Sequence, residues 1–363
     1  MEKQELTFIK SIKIPELRHH RDLQINVHES ELRHLIITGR NGSGKTSLLE
    51  RIWGDITPYQ ETLTSGPSLV EMNGALLRGS TLRLGNPEIT WFFPADRVTK
   101  QDKVESIQSL THEGSGKRSQ KFIQHLVNLK AERSFARDEG DQKTADSIDS
   151  WFHHFEQQLG LLYGEHRLKL EFVREPEYKF LVHLPERPPF GLNQLSRGYS
   201  AIIEILAELI LRSPEPKSRV YDSVGIVLID EIETHLHIKL QKQILPFLSA
   251  FFPRIQFVVT THSPFVLTSV ENAVVFDLET REHVTDLWLH SSEALVESYF
   301  GMDKYSAPLK KKVAEYEELL LGDGPRDEAR LTEIRNQLDT IPRSAAPELF
   351  AKVQQLELDA LVK

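Results

Sequence analysis

Apolar positions along the chain follow two different periods, and their order predicts an α/β protein. Short apolar, β-branched runs at residues 35–38, 225–229 and 255–260 have the length of buried strands. At residues 117–164 and 303–363, apolar side chains instead recur every three or four positions, which predicts helices. A protein of this kind buries a sheet of apolar strands under helices.

The N-terminal part begins with a different pattern. Residues 6–14 mostly alternate apolar and polar side chains, which predicts a half-buried strand, and a second strand is expected at 23–27. Between them, after Pro15, residues 16–22 form a charged link that contains histidines. Two N-terminal strands are therefore expected to precede the first buried strand.

The helical stretch at 117–164 interrupts the strand-forming part of the chain. The polar sequence at 138–141 predicts a turn that divides it into a hairpin of two helices. Phenylalanine and tryptophan side chains spaced three or four apart are interpreted as the core of this hairpin rather than as a ligand site. Strands are expected again at 168–173 and 178–184.

Composition limits the possible classes of protein. The 363 residues are 39% hydrophobic and 27% charged, which is ordinary for a globular chain that buries a sizeable core. The absence of cysteine excludes disulfides, thiolate zinc sites and cysteine nucleophiles. A charged N-terminus and the lack of an apolar run of about 18 residues predict a cytoplasmic protein without a membrane span. The net charge of -9 argues against a surface that is basic throughout, although a local basic patch for DNA stays open.

The segment from Gly39 to Ser47, GRNGSGKTS, fits the phosphate-binding loop pattern G-x-x-x-x-G-K-[ST] at every fixed position. It lies between a predicted strand and a predicted helix, so backbone N–H groups and the positive end of the helix would surround an anion. We expect Lys45 to reach the β- and γ-phosphates of ATP and the Thr46 hydroxyl to bind Mg²⁺. The predicted nucleotide-binding residues of this loop are Gly39, Asn41, Gly42, Ser43, Gly44, Lys45, Thr46 and Ser47.

Two carboxylates, Asp230 and Glu231, directly follow the apolar strand at 225–229. This arrangement is typical of a Walker B motif, in which Asp230 would hold Mg²⁺, directly or through water. Glu231 would orient and partly deprotonate the attacking water. Taken alone, the same residues are about as typical of a core strand that ends in a solvated acidic turn.

Two further segments complete an order of motifs that resembles ABC-type ATPases. Residues 195–199, LSRGY, are similar to the signature L-S-x-G-x and open an apolar helix at 201–211, while Thr261 and His262 follow the strand at 255–260. The order of phosphate loop, signature, hydrophobic-Asp-Glu and strand-Thr-His favours the ABC interpretation over separate chance matches. The resemblance implies an α/β fold: an ABC-type P-loop ATPase head with an inserted helical hairpin and a C-terminal helical region.

The same resemblance implies roles for residues outside the loop. Ser196 and Gly198 of one copy would contact the γ-phosphate held by a second copy, so that two heads close on two nucleotides. His262 resembles the switch histidine that hydrogen-bonds the γ-phosphate, and with Glu231 and Lys45 it completes the expected catalytic set.

Other positions carry weaker implications. Among Arg18, His19 and His20, one would be the flat side chain that stacks on adenine, with a solvated turn as the alternative. The γ-phosphate-sensing loop of ABC heads usually carries a glutamine. This chain offers Asp96 and Arg97 there, with Gln101 further on, which leaves the sensor unassigned.

His235 and His237 lie where ABC heads have the D-loop, and many ABC proteins have aspartate at the second position. They are interpreted as part of a dimer-interface loop rather than a zinc site, because no third ligand is evident.

The chain resembles the prokaryotic branch that includes RecF-, SMC- and OLD-type ATPases. Within that branch it resembles the standalone AAA family ATPases of anti-phage defence. It rests on residues 92–97, 230–237 and 261–264. Septu and retron-linked PtuA proteins and the PARIS ATPase, which this chain resembles, pair such a head with a separate effector nuclease. The resemblance implies a sensor or scaffold subunit that forms dimers or higher oligomers and controls a separately encoded HNH or TOPRIM nuclease. The alternative is a RecF-like repair ATPase that binds DNA.

The predicted parts are the N-terminal head at 1–102, the helical insertion at 103–166, the C-terminal head at 167–300 and the helical region at 301–363. The last region lacks the Asp-x-Asp pattern of a TOPRIM nuclease and a His-Asn-His cluster. Its helices are expected either to dock a partner or another copy, or to pack back on the head. A transporter ATPase is disfavoured, because neither helical part resembles what couples to membrane helices.

Overall fold

A computed structural model describes residues 6–57, 69–72, 75–78, 89–95, 121–213, 221–284, 287–289, 295, 307–322, 327–341 and 346–362. The predicted sensor positions Asp96, Arg97 and Gln101 lie outside these residues. The chain divides into two compact units, Met1–Ser292 and Glu293–Lys363, which are described separately. Within the described residues, no helix combines the length and the apolar character needed to cross a membrane.

Both units are built from short elements. The strands are β1 (Ile9–Leu17), β2 (His20–Asn26), β3 (His34–Thr38), β4 (Leu69–Met72), β5 (Ala75–Arg78), β6 (Ile89–Phe93), β7 (Lys169–Val173), β8 (Lys179–His183), β9 (Phe190–Gly191), β10 (Gly225–Ile229), β11 (Ile255–Thr260), β12 (Ala273–Asp277) and β13 (Glu282–Val284). The helices are α1 (Lys45–Ile56), α2 (Phe122–Asp138), α3 (Gln142–Tyr163), α4 (Arg197–Arg212), α5 (Ile238–Gln241), α6 (Ile244–Phe251), α7 (Pro264–Leu267), α8 (Ala307–Leu321), α9 (Glu328–Asp339) and α10 (Pro347–Val362).

A six-stranded sheet forms the centre of the first unit, in the order β13-β12-β3-β11-β10-β6. All neighbouring pairs are parallel except β12 and β13. Every residue of β3, β10 and β11 is buried, which explains why these strands are continuous apolar runs rather than alternating ones. The predicted α/β class is therefore confirmed, and the carboxyl ends of the parallel strands share one edge.

The first two strands belong to a separate antiparallel sheet with the order β2-β1-β4-β5. The predicted charged link after Pro15 is wrong, because β1 continues through this residue to Leu17. β4 pairs only with β1 residues up to Lys13, so Pro15 removes no hydrogen bond on that side. The link is a two-residue turn at Arg18 and His19, with Arg18 in the left-handed region at φ 53°.

The helix after the phosphate loop is longer than the pattern predicts. A helix that ends at Gly54 is expected, but α1 runs to Ile56 and Gly54 is buried within it. Burial of the apolar side of α1 against the sheets outweighs the roughly 1 kcal/mol that glycine costs inside a helix.

The insertion is a helical hairpin, as predicted, with its turn at 139–141. The Asp141 side chain caps α3 by accepting a hydrogen bond from the Thr144 N–H. The aromatic stripe forms a core. The Trp151 ring stacks on the Phe155 ring with the centroids 5.2 Å apart, and Phe155 meets Phe251 of α6 edge to face. The hairpin therefore packs on the head through aromatic side chains, and β7, β8 and β9 form a small antiparallel sheet after it.

The second unit contains α8, α9 and α10, in agreement with the helical pattern predicted for residues 303–363. These helices share a buried cluster of their own. Its fully or nearly buried members are Val313, Tyr316, Leu331, Ile334, Leu338, Ala346, Leu349, Phe350 and Val353. The apolar faces thus have partners within the unit, which the sequence pattern had left open.

Candidate nucleotide-binding site

The phosphate loop joins β3 to α1 through three glycines with positive φ. Gly39, Gly42 and Gly44 have φ values of 134°, 82° and 101°, in the region that side chains with a Cβ rarely adopt. No atom of the described residues outside the loop's adjoining positions lies within 4 Å of where a Cβ on Gly42 would stand. The loop therefore presents bare backbone around the N-terminus of α1, which is the arrangement that anions favour.

Lys45, the first residue of α1, lies over this loop. Its Nζ donates hydrogen bonds to the carbonyl oxygens of Gly39 at 2.9 Å and Arg40 at 3.1 Å. An ammonium group has three donors, so these two bonds leave capacity for an anion. Burial lowers the pKa of Lys45, while nearby carboxylates act in the opposite direction. These carboxylates belong to Glu231, Glu233, Asp230 and Asp277.

Ser43 adds an observation that favours an anionic ligand. Its side chain is 8% exposed, and its Oγ is buried with no hydrogen-bond partner among the described residues. A buried hydroxyl without a partner is costly unless a ligand or water satisfies it. A phosphate oxygen in the loop would supply that partner, so the residues present fit a nucleotide phosphate.

The Walker B aspartate connects the loop to two strands. Asp230 Oδ2 accepts a hydrogen bond from the Thr46 hydroxyl at 2.9 Å, and Asp230 Oδ1 accepts one from the Thr260 hydroxyl at 2.6 Å. A carboxylate and a hydroxyl in direct contact are oxygen ligands of the kind that Mg²⁺ prefers. The two residues predicted to bind Mg²⁺ are thus together, and Thr260, which the sequence did not single out, holds Asp230 from the other side.

Glu231 lies beside this pair in a strained backbone conformation. Its φ of 44° is unusual for a residue with a Cβ, and its N–H donates to the Thr260 hydroxyl at 2.7 Å. The Thr234 hydroxyl donates to Glu231 Oε2 at 3.2 Å. The Thr260 bond therefore holds the backbone of Glu231 at the end of β10, and the Thr234 bond holds its carboxylate.

His262 belongs to the same strand edge, at the end of β11. Its backbone N–H donates to Glu233 Oε1 at 2.6 Å. Burial, with the charge of Lys45 as a further cause, lowers the pKa of the His262 ring, which favours the neutral imidazole. Glu233 was missed at the sequence level; burial raises the pKa of its carboxyl group, and its position two residues after Glu231 was the available signal.

The signature residues lie at the start of α4, beside the segment that follows Walker B. Ser196 is the exposed N-cap of α4, and its hydroxyl makes no capping hydrogen bond. A Cβ on Gly198 would lie 3.3 Å from the His235 carbonyl oxygen and 2.9 Å from Leu240. The signature helix thus packs on the segment that follows Walker B within the same copy.

His20 has a different position from either predicted alternative. It is 2% exposed at the start of β2, and its Nε2 lies 2.7 Å from the Ser43 carbonyl oxygen. It therefore contacts the phosphate loop and is not a solvated turn residue. His19, in the turn beside it, is exposed with its ring centroid 4.1 Å from that of His20. The adenine-stacking role of Arg18 or His19 stays a prediction.

A protein-family model described as "AAA domain, putative AbiEii toxin, Type IV TA system" matches residues 35–268. This match includes more than half of the chain. It begins in β3 and contains the phosphate loop, the signature segment, the Walker B carboxylates and His262.

Individual relatives match shorter or more divergent stretches. The Septu protein PtuA of Bacillus mycoides (strain KBAB4) is 33% identical over 161 residues, which cover 42% of this chain and 22% of that protein. The "Retron Ec83 probable ATPase" of Escherichia coli is 33% identical over 141 residues, covering 34% of this chain and 26% of that protein. The chain thus matches about a quarter of the length of these two relatives. A Septu protein PtuA of Bacillus thuringiensis is 22% identical over 400 residues, covering 93% and 95%.

Solved structures with a related arrangement include two SMC heads. The head bound to the C-winged helix domain of ScpA has a TM-score of 0.42 and 11% identity, covering 74% of this chain and 93% of that chain. The SMC head domain from Thermotoga maritima has a TM-score of 0.41 and 15% identity, covering 74% and 94%.

Proposed function

This chain belongs to the AAA_21 family of AAA domains, and on that premise we propose that it binds and hydrolyses ATP as a subunit that closes head to head on the nucleotide. The observation that carries the proposal is the hydrogen-bonded series Thr46–Asp230–Thr260–Glu231 beside a glycine-rich phosphate loop. This series joins the expected metal ligands to the expected general base. The phosphate loop, whose backbone N–H groups can bind an anion, follows a strand at the same edge of the sheet.

The phosphate loop supplies both backbone and side-chain groups for the nucleotide. The backbone N–H groups at Gly42 to Lys45 and the Ser43 hydroxyl bind phosphate oxygens, and the Lys45 ammonium neutralises charge on the β- and γ-phosphates. Thr46 and Asp230 would hold Mg²⁺, which would supply positive charge beside the phosphates.

Hydrolysis needs a water molecule to be oriented and partly deprotonated. Glu231 takes the proton, because its carboxylate is held at the strand end by the Thr234 hydroxyl and by its own N–H on Thr260. His262 donates a hydrogen bond to the γ-phosphate from its neutral ring. The bond from its backbone N–H to Glu233 fixes the loop that carries it.

The signature helix completes the site of a second copy. The Ser196 hydroxyl is exposed at the start of α4, with no capping bond to occupy it, and Gly198 lies half-buried two residues further on. A phosphate presented by another copy would bind there. ATP therefore acts as the link between two heads, and its hydrolysis releases them.

At the level of the cell, we propose a sensor or scaffold subunit of an anti-phage defence complex that controls a separately encoded effector nuclease, of HNH or TOPRIM type. The support is the 33% identity to a Septu protein PtuA and to a retron probable ATPase over part of this chain. The family description, which mentions a toxin–antitoxin system, agrees with an ATPase that acts through a second component.

Replacement of the general base tests the ATPase proposal. Glu231→Gln should bind ATP with wild-type affinity, because the amide keeps the shape and the Thr234 contact. Its turnover number should fall on the order of 100-fold or more, the usual contribution of a general base. Steady-state phosphate release and calorimetric ATP titration measure the two quantities. Asp146→Asn, on the exposed hairpin surface, is the matched control, and normal turnover by Glu231→Gln would show that Glu231 is not the base.

The partner proposal needs a separate experiment. Mass photometry of the chain with and without the product of its genomic neighbour, plus and minus ATP and Mg²⁺, measures the assembly directly. A stable mixed complex is the expected result. An ATP-dependent homodimer that ignores the neighbour, together with duplex DNA binding that weakens steeply with salt, would instead support the RecF-like DNA-binding alternative.

A further inference from the structure

His20 lies beneath the phosphate loop rather than at the mouth of the site. It is the first residue of β2, it is 2% exposed, and its ring carbon Cδ2 and Nε2 lie 3.8 Å from where a Cβ on Gly44 would stand. Its Nε2 is 2.7 Å from the Ser43 carbonyl oxygen. The ring therefore contacts the peptide unit that joins Ser43 to Gly44.

The chemistry of this contact assigns the ring tautomer. A carbonyl oxygen can only accept, so Nε2 must carry the hydrogen. The other nitrogen, Nδ1, is buried and has no partner among the described residues. A proton on Nδ1 would be a buried donor without an acceptor, which is costly, so the ring is held as the Nε2–H tautomer.

We propose that His20 is a positioning residue for nucleotide binding, which acts through the Ser43–Gly44 peptide. A hydrogen bond accepted by the Ser43 carbonyl polarises the same peptide unit and makes the Gly44 N–H a stronger donor. Gly44 is the N-cap of α1, so its N–H is one of the helix-end donors without a partner inside the helix. The same bond fixes the loop before a phosphate binds. This inference rests on the proposed ATP site.

The test compares two side chains of similar shape that differ in their ability to donate. His20→Gln places an amide N–H near the position of Nε2, whereas His20→Met fills the same space without a donor. We expect ATP and ADP to bind on the order of fivefold more weakly to His20→Met and within about twofold of wild type to His20→Gln. Isothermal titration calorimetry at fixed salt measures both, and circular dichroism melts check that the variants are folded.

Equal affinities for folded His20→Met and wild type would overturn the proposal, and so would a folded His20→Gln that binds as weakly as His20→Met. Lys45→Ala separates this inference from the ATP site itself. If Lys45→Ala binds ATP normally, the proposed site is wrong; if it loses ATP while His20→Met keeps it, only the role of His20 is wrong.

A second measurement remains decisive if His20→Met does not fold. The ¹⁵N spectrum of the histidine imidazoles of the wild-type chain, with the His20 signals identified by their loss in His20→Gln, reports which nitrogen carries hydrogen. A hydrogen on Nε2 is the expected result. A ring protonated only at Nδ1 could not donate to the Ser43 carbonyl and would overturn the proposal.

Discussion

His34, the first residue of β3, couples stability to pH. Its side chain is 4% exposed, and its Nδ1 accepts a hydrogen bond from the Phe257 N–H at 3.1 Å. Burial lowers the pKa of His34 from 6.5 to about 4. The ring is neutral in the folded protein, because a proton on Nδ1 would remove this acceptor and place a charge inside the sheet.

Stability should therefore fall in acid through His34. Between pH 6.5 and about 4 the unfolded chain binds a proton at this ring and the folded chain does not, so the free energy of unfolding decreases as pH falls. The full effect is about 3 kcal/mol for a shift of this size. Urea unfolding at several pH values measures it, with His34→Asn as a variant that keeps an acceptor but does not titrate. An equally steep acid loss in a folded His34→Asn would contradict the assignment.

The signature helix α4 contacts both the helical insertion and the segment after Walker B. The Tyr199 ring, in its first turn, stacks on Tyr163 at the end of α3, with centroids 4.0 Å apart and the planes at 1°. Lys239 Nζ also donates to the Tyr163 carbonyl oxygen at 3.1 Å. The hairpin, the signature helix and the segment after Walker B therefore form one packed junction.

A large charge at the start of α4 should separate ATP binding from hydrolysis. Ser196→Arg changes an exposed N-cap, so the fold and ATP binding to the phosphate loop should persist, while the second copy's phosphate is blocked. Turnover should fall on the order of 100-fold, as when an electrostatic contact to the reacting group is lost. Phosphate release and mass photometry with ATP are the measurements. Ser196→Thr keeps a hydroxyl at this position and is the control. Full turnover by Ser196→Arg would contradict the model of paired heads.

The whole molecule consists of two units with separate cores. The second unit buries its own apolar cluster among α8, α9 and α10, with Tyr316 donating a hydrogen bond to Glu357 at 2.9 Å. A unit with its own core can fold without help from the rest of a chain. The function of the second unit can therefore be tested by deleting it from the chain.

A fragment of residues 1–292 should fold and bind ATP with an affinity within about twofold of the full chain, because every described residue of the candidate site lies in the first unit. Calorimetric titration of both proteins with ATP is the measurement. Loss of the mixed complex with the neighbour's product, with ATP binding intact, would assign partner docking to the second unit. A fragment that is unfolded would contradict the independence of the two cores.

Much of this organisation could be predicted from sequence, because it depends on local spacing. Glycines at fixed intervals before Lys45, and an apolar strand before Asp230, specify a loop and a strand end whatever surrounds them. The hairpin turn and the three C-terminal helices follow from apolar periodicity in the same way. The path of β1 through Pro15 could not be predicted in this way. It depends on the pairing with β4, which ends at Lys13 and leaves Pro15 without a partner on that side.

The motifs in the chain thus specified the chemistry: a phosphate loop, two carboxylates at a strand end and a histidine after another. Tertiary structure decided which side chains support them. β11 is the neighbour of β10 in the sheet, so Thr260 at its end lies beside Asp230 and donates a hydrogen bond to that carboxylate. His20 precedes Ser43 by 23 residues and belongs to the antiparallel sheet, and the tertiary structure places its ring against the Ser43 carbonyl of the loop. Such contacts join residues far apart in sequence, and strand order, which spacing along the chain does not encode, brings them together.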